Sequence, residues 1–394
     1  MTFKKKLIKD ITTKINTWNP KAVSKSQKFE YIDIAAVSRE LKEITTSLSL
    51  ETSEAPSRAR QIIKERDVLV STVRPNLNAV ARVTSDFDGA TASTGFTVLR
   101  PKPNELDPDY LYYWVCSPCF VADMTQQSTG ASYPAVSDTI VKNSKIPLPP
   151  IAEQKRIAAI LDKADAVRRK RREAIRLTEE LLRSVFLDMF GDPVTNPKGW
   201  DVVNFGDVCI NFQNGIGKGK KYYGSGAKVA NISDLYEWHK FTPTKYSLLE
   251  STPGEIEKYR LSKGDLLFVR SSVKKQGVAY CSFYNSSEVC LFSSFMIRAR
   301  LDREVADPEF VSLMFRTTSM RERLIAASNT STITNISQPA LSGVSIIVPP
   351  LSEQKKLERA VKAIERMTNK FTQNQKESED LFNSLLQRAF TGNL

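Results

Sequence analysis

A single histidine, His239, stands in 394 residues. A zinc site needing two imidazoles is therefore excluded, and a Ser/His/Asp triad would have to be built on that one ring. Cysteine is scarce as well: five residues, an odd number and widely scattered, which suits a reducing compartment and not a disulfide framework. No run reaches the roughly 18 consecutive apolar residues of a membrane span. The start passes from a basic stretch into Ile11-Thr12-Thr13-Lys14 without the apolar core of a signal peptide, so the expected setting is cytoplasmic, with no membrane partner. With only 16 Gly and 19 Pro, 41% hydrophobic and 26% charged residues, neither disorder nor a collagen-like chain is indicated. What is in excess is positive charge, 57 Lys+Arg against 44 Asp+Glu. It is spread along the chain without a basic tail, and it points toward polyanions.

The chain contains itself twice. Pro149-Pro150-Ile151-Ala152-Glu153-Gln154-Lys155 returns as Pro349-Pro350-Leu351-Ser352-Glu353-Gln354-Lys355, 200 positions later. The same shift aligns Asp107-Pro108-Asp109-Tyr110 with Asp307-Pro308-Glu309-Phe310, and a shift of 198 aligns Asp67-Val68-Leu69-Val70 with Asp265-Leu266-Leu267-Phe268. Each copy reads as a mixed domain of about 150 residues and a helix of about 40. This predicts four segments: globular 1–150, helical 151–190, globular 191–350 and helical 351–394. In the first helix, positions 157, 161, 164, 168, 171, 175, 178, 182, 185 and 189 form a seam stepped by four and three; seven of the ten are apolar, as are seven of the ten at the same positions plus 200. A 3.5-residue seam calls for a second long helix as partner, and about 60 Å of helix is far more than one domain needs. Gly191 with Pro193, and Gly392, supply the stops. The expected fold is α/β (mixed α+β). Two globular domains in a pseudo-two-fold arrangement are separated by a pair of long antiparallel coiled-coil helices, weakened in the middle by polar turns. Helices are expected at 109–124 and 309–327, and strands at Val68–Thr72, Phe96–Leu99, Leu266–Val269 and Phe292–Arg298.

Catalytic patterns are missing. Gly215-Ile216-Gly217-Lys218-Gly219-Lys220-Lys221 lacks the spacing of a phosphate loop, since position 214 is Asn and 221 is Lys. Cys116-Ser117-Pro118-Cys119 has no second ligand pair and reads as buried thiols at a helix end. Neither Pro-Pro pair follows Asn or Asp, as an amino-methyltransferase motif would require. No metal ligand set and no catalytic residue is assigned. Base-reading side chains are plentiful instead, because Arg fits guanine O6 and N7 while Asn or Gln fits adenine N6 and N7. In the first copy they are Arg74, Asn76, Asn78, Gln126 and Gln127, with Ser132 and Tyr133 beside them. In the second copy the aligned loops hold Arg270, Lys274, Lys275 and Gln276, and then Asn329 and Thr332. Lys218, Lys220 and Lys221 with Tyr222 look like phosphate anchors beside an aromatic face. Frameworks match where loops differ: one scaffold, two surfaces. The run Arg168-Arg169-Lys170-Arg171-Arg172 covers every face of its helix, so some of it must project sideways, where it can meet a DNA backbone or a partner's acids, or stand as a solvated run.

Taken together, the duplication, the two Pro-Pro-x-x-Glu-Gln helix starts, Asn196-Pro197-Lys198-Gly199-Trp200 and the strand Val229-Ala230-Asn231-Ile232 resemble the DNA specificity subunit of type I restriction-modification enzymes, over essentially the whole chain. Ile151 stands where the family has Leu, and the first copy has no Gly-Trp entry of its own. The resemblance implies that each globular segment is a target recognition domain reading one half of a bipartite, asymmetric sequence in double-stranded DNA, with the helices fixing the spacing. It implies a non-catalytic chain that needs no cofactor of its own. Two methylation subunits bring S-adenosylmethionine, and restriction and translocation subunits bring ATP and Mg. The helices are then the docking segments, which nominates Glu153, Gln154, Arg168, Arg169, Arg171, Arg172, Glu353 and Gln354 as subunit interface. A non-catalytic coiled-coil adaptor for other proteins, its basic surface incidental, is the other reading these residues allow; salt-dependent binding to duplex DNA separates the two.

Overall fold

A computed structural model describes residues 3–130, 132–243, 246–330 and 333–394. The chain forms two compact units, one from Met1–Arg172 together with Gln373–Leu394, the other from Glu173–Thr372. The long helices run Ile151–Phe190 and Leu351–Thr391. The units part in the middle of both, not at their ends, so each unit holds half of each helix. Among the described residues no helix is long and apolar enough to cross a membrane.

In the first unit, Val68–Ser71 is buried at every position and lies between Phe96–Pro101 and Val80–Arg82 in a four-stranded sheet. A continuous apolar run of this kind suits a strand covered on both faces. A second sheet orders Leu48–Glu51, Lys28–Ile32, Thr91–Ser93 and Ala59–Ile62. The second unit repeats the plan with Leu266–Val269 between Met296–Leu301 and Cys281–Tyr284. Even a parallel pairing recurs: Thr91–Ser93 on Lys28–Ile32 matches Leu291–Phe292 on Tyr223–Ala230.

The two expected helices of the globular segments are each broken in two. Pro108–Cys116 gives way to Pro118–Gln126 because the Ser117 side chain caps a new start and Pro118 occupies its first turn. Pro308–Phe315 and Thr318–Ala326 part at Arg316 and Thr317. The expected strand Phe292–Arg298 is likewise split by a turn at Ser293–Phe295 into Leu291–Phe292 and Met296–Leu301.

All twenty seam positions on the long helices are buried or half-buried. Within the first unit the helix halves run antiparallel: Arg156 donates to the Leu394 carbonyl, Arg168 pairs with Glu379, and Arg171 donates to the Asn374 carbonyl. Their apolar ends enter the domain core, where Ile157 and Leu161 join Phe382, Leu386 and Phe390. The Phe390 ring lies 5.1 Å from both Tyr110 and Trp114. In the second unit Phe186 and Phe190 pack on Phe310 at 5.4 and 4.8 Å, in one cluster with Leu357, Val361 and Ile364. Each helix half is thus part of a hydrophobic core as well as of a seam.

Candidate nucleic-acid interface

The repeat extends to individual atoms. Gln154, 1% exposed, accepts the Asp107 N–H at 2.8 Å and donates to the carbonyls of Glu105 and Pro149 at 3.0 and 2.9 Å. Gln354, also 1% exposed, accepts from Asp307 at 2.8 Å and donates to Val305 and Pro349 at 3.0 and 2.7 Å. Asp67 is gripped by a bidentate Arg100 at 2.8 and 2.7 Å, and Asp265 by Arg300 at the same two distances. These clamps fix the loop before each helical layer and the turn before each central strand. They correct the expectation for Gln154 and Gln354, which face inward and are spent on backbone groups of their own unit. Sequence spacing held the signal, since Asp107 and Asp307 both stand 47 residues before their glutamines, but a motif does not show which way its side chain points.

On this frame the unlike loops are brought together in pairs. In the first unit, Val73 and Thr129 each bridge to Ala135, and the Arg74 N–H donates to the Pro134 carbonyl at 2.7 Å. Pro75–Leu77 is a single turn between two non-glycine residues in the left-handed region, Arg74 at φ 51° and Asn78 at φ 46°. The Arg74 guanidinium lies 4.6 Å from the centre of the Tyr133 ring, which is 69% exposed. Asn76, Gln126 and Ser132 are exposed. Gln127 is exposed too, though its amide bonds Asp123 at 2.8 Å. Asn78 is a correction: its amide donates to the Cys116 carbonyl at 3.3 Å, so it holds the loop rather than displaying itself.

In the second unit the equivalent loops meet as Ser271–Ser272 on Thr334–Asn335, which also pairs with Asn329–Thr330. Lys274, Lys275, Gln276 and Asn329 are exposed there. Arg270 is half-buried and reaches the Ser294 carbonyl at 3.4 Å. Thr332 lies outside the described residues. Arg321, absent from the expectations, anchors the turn by donating to the carbonyls of Gln276, Val278 and Ala279. Phe295, 56% exposed in the turn beside Arg270, was also missed, because a Phe within an apparent strand reads as core.

The glycine-rich segment proves to be a packing device. A Cβ at Gly215 would fall 2.1 Å from the Ser293 carbonyl oxygen, and the next residue, Ile216, is buried and bonded to Phe292. Lys218 is corrected as a phosphate anchor, since its ammonium is held by Glu255 at 2.6 Å and the Glu250 carbonyl at 2.8 Å. Lys220 and Lys221 remain exposed, Lys221 lying 4.9 Å from the Tyr222 ring.

The arginine run is corrected in the same sense. Arg168 and Arg172 share Glu379, Arg168 and Arg169 share Asp165, Arg169 also pairs with Glu43, and Arg171 bonds Asn374 and Ser378. The cluster closes the polar middle of the seam within its own unit. Glu153 and Glu353, paired with Arg156 and Lys356, stay at the surface.

Among the described residues, His239, Glu309 and Glu365 lie close enough to share an ion. Lys240 already fills that place, 3.1 Å from Glu309 and in contact with Glu365. Burial pushes His239 below its ordinary value, outweighing the bond to Glu309, so its neutral ring donates from Nε2 and leaves Nδ1 a buried, unpartnered acceptor. Burial also pushes the Cys116 thiol up to about 11 and Cys209 to about 12, and these thiols stay protonated. Cys119, expected as a buried thiol, is exposed.

Comparison with known proteins agrees with this arrangement. The family described as Type I restriction modification DNA specificity domain matches residues 2–177 and again 197–379. The specificity subunit of the type I restriction enzyme EcoKI from Escherichia coli (strain K12) is 24% identical over 319 residues, covering 75% of this chain and 68% of its own. The StySPI specificity subunit of Salmonella potsdam is 24% identical over 318 residues, covering 75% and 67%. A solved chain from work on complex assembly and conformational transition of the type I R-M system is 25% identical, covers 100% of this chain and 98% of its own, and superposes with a TM-score of 0.57. The chain belongs to the type I restriction-modification DNA specificity family. It is a sequence-specific DNA-recognition subunit, and the adaptor reading is set aside.

Proposed function

We propose that each globular segment reads one half of a bipartite, asymmetric site in duplex DNA, and that the long helices set the number of base pairs between the halves. The observation that carries this is the contrast between the repeated clamps, matched to within about 0.2 Å, and the loops above them, where Arg74 and Tyr133 of one unit align with Ser272 and Ile333 of the other. A frame held constant under surfaces that differ is what reading two unlike half-sites requires. The chain itself carries no chemical step. Two methylation subunits supply S-adenosylmethionine and the adenine-modifying site, and restriction and translocation subunits supply ATP, Mg and cleavage, in the cytoplasm. The helices offer docking faces on which Leu177 and Leu181, one turn apart, stay exposed.

Replacing residues 1–150 with the corresponding segment of a relative and mapping methylated adenines in cells tests this. One half of the recognised sequence should change while the other half and the spacing persist. A methylome unchanged in both halves refutes the modular reading.

A further inference from the structure

Arg74, half-buried in its loop, combines three features. Its backbone sits at φ 51°, in the left-handed region that costs a non-glycine residue free energy and that persists only where the surroundings enforce it. Here the enforcing bond is its own N–H to the Pro134 carbonyl, at 2.7 Å. The guanidinium carbon lies over the Tyr133 ring, 4.6 Å from its centre. Among the described residues no carboxylate and no hydrogen-bond acceptor meets its N–H groups. A guanidinium set over an aromatic ring, with its N–H groups unspent, is a planar fork of donors able to meet two acceptors in one plane.

We propose that Arg74 reads a guanine in the half-site of the first recognition domain, its fork donating to O6 and N7 from the major groove, with Tyr133 as the platform that fixes the plane. This rests on the DNA-reading function proposed above and names one base within it. Guanine presents two in-plane acceptors on that edge, whereas adenine places a donor beside N7 and would oppose a donor-only fork. A phosphate contact needs neither the aromatic platform nor the left-handed backbone. The aligned positions there, Ser272 and Ile333, carry no such fork, so the guanine belongs to one half-site alone.

The test uses the full chain assembled with its methylation subunits. With wild type, 7-deazaguanine is placed in turn at each guanine of the recognised duplex. One position, in the half-site that follows residues 1–150 in the domain exchange, should lose affinity about ten- to a hundred-fold. R74A should be indifferent to that replacement and should methylate sites with any base at that position, leaving the other half-site intact. Y133L should weaken discrimination at the same position. R74K keeps the charge without the planar fork; it should retain methylation with partial loss of the guanine requirement, and it decides the matter if R74A fails to fold. The proposal is overturned if no guanine of that half-site responds to 7-deazaguanine, or if the Arg74 variants lower methylation equally at all sites without changing the consensus, which is the signature of a phosphate contact. A wild-type assembly with no sequence-specific methylation would instead remove the parent function.

Discussion

Gln154 and Gln354 leave the first turn of their helices pointing inward, and each satisfies one backbone N–H and two carbonyls in buried or half-buried positions. Truncation strands three backbone groups at once, and each buried, unpaired group costs about 1–3 kcal/mol before any relaxation. Q154A should therefore destabilise the first unit by about 3 kcal/mol and Q354A the second by a similar amount, read as a shift in the urea midpoint. A loss below about 0.5 kcal/mol in both would show that water replaces the amide. At this scale the sequence reveals kinds of side chain better than their directions. Asn76, Gln126, Lys274 and Asn329 are displayed as their loops suggested, whereas Asn78 and Lys218 are consumed by a carbonyl and an acid that lie far away in the chain.

Between elements, the second unit ties its strand Lys240–Phe241 to the second long helix through Lys240 and Glu365, and ties the neighbouring His239 to Glu309. The first unit joins domain to helix through Arg82, Asp109 and Asp162. The junction of the second unit should respond to acid. The pKa of His239 is lowered in the folded state, so below about pH 6.5 the unfolded chain takes up a proton that the native chain refuses, and stability falls as pH drops. Glu309, held below the ordinary carboxylate range by His239 and Lys240 despite its burial, adds loss in the same direction at lower pH. Protection factors for amide hydrogen exchange at residues 239–241 should fall as pH drops from about 7.5 to about 5.5, and H239Q should abolish that fall; protection unchanged across the interval would contradict the argument. Element scale was also where the sequence was most legible. The long helices start at Ile151 and Leu351, directly after the Pro-Pro pairs, and end at Phe190, just before Gly191, and at Thr391, just before Gly392. A seam stepped by four and three survives any local detail. The split of 309–327 was not legible, because no proline or glycine marks Thr317; the break depends on packing beneath it.

Considered as a whole molecule, the chain builds one unit from two distant segments. Gln373–Leu394 brings Phe382, Leu386, Ala389 and Phe390 into the core beneath Tyr110 and Trp114. A chain ending at Thr372 should lose the first unit's cooperative unfolding and protease resistance, while the second unit keeps its own core and its resistance; survival of both would mean that the first core closes without the returning helix. Composition and the 200-residue repeat reveal that there are two domains, but each domain's use of half of both helices is a property of contacts between residues far apart in the chain, 203 to 238 positions in the first unit. Vectorial synthesis gives that arrangement a further meaning. The unit formed by residues 173–372 can close while its neighbour still waits, half-built, for residues 373–394 to leave the ribosome, so the segment before residue 173 is translated earlier yet becomes native later, and spends longer in need of protection.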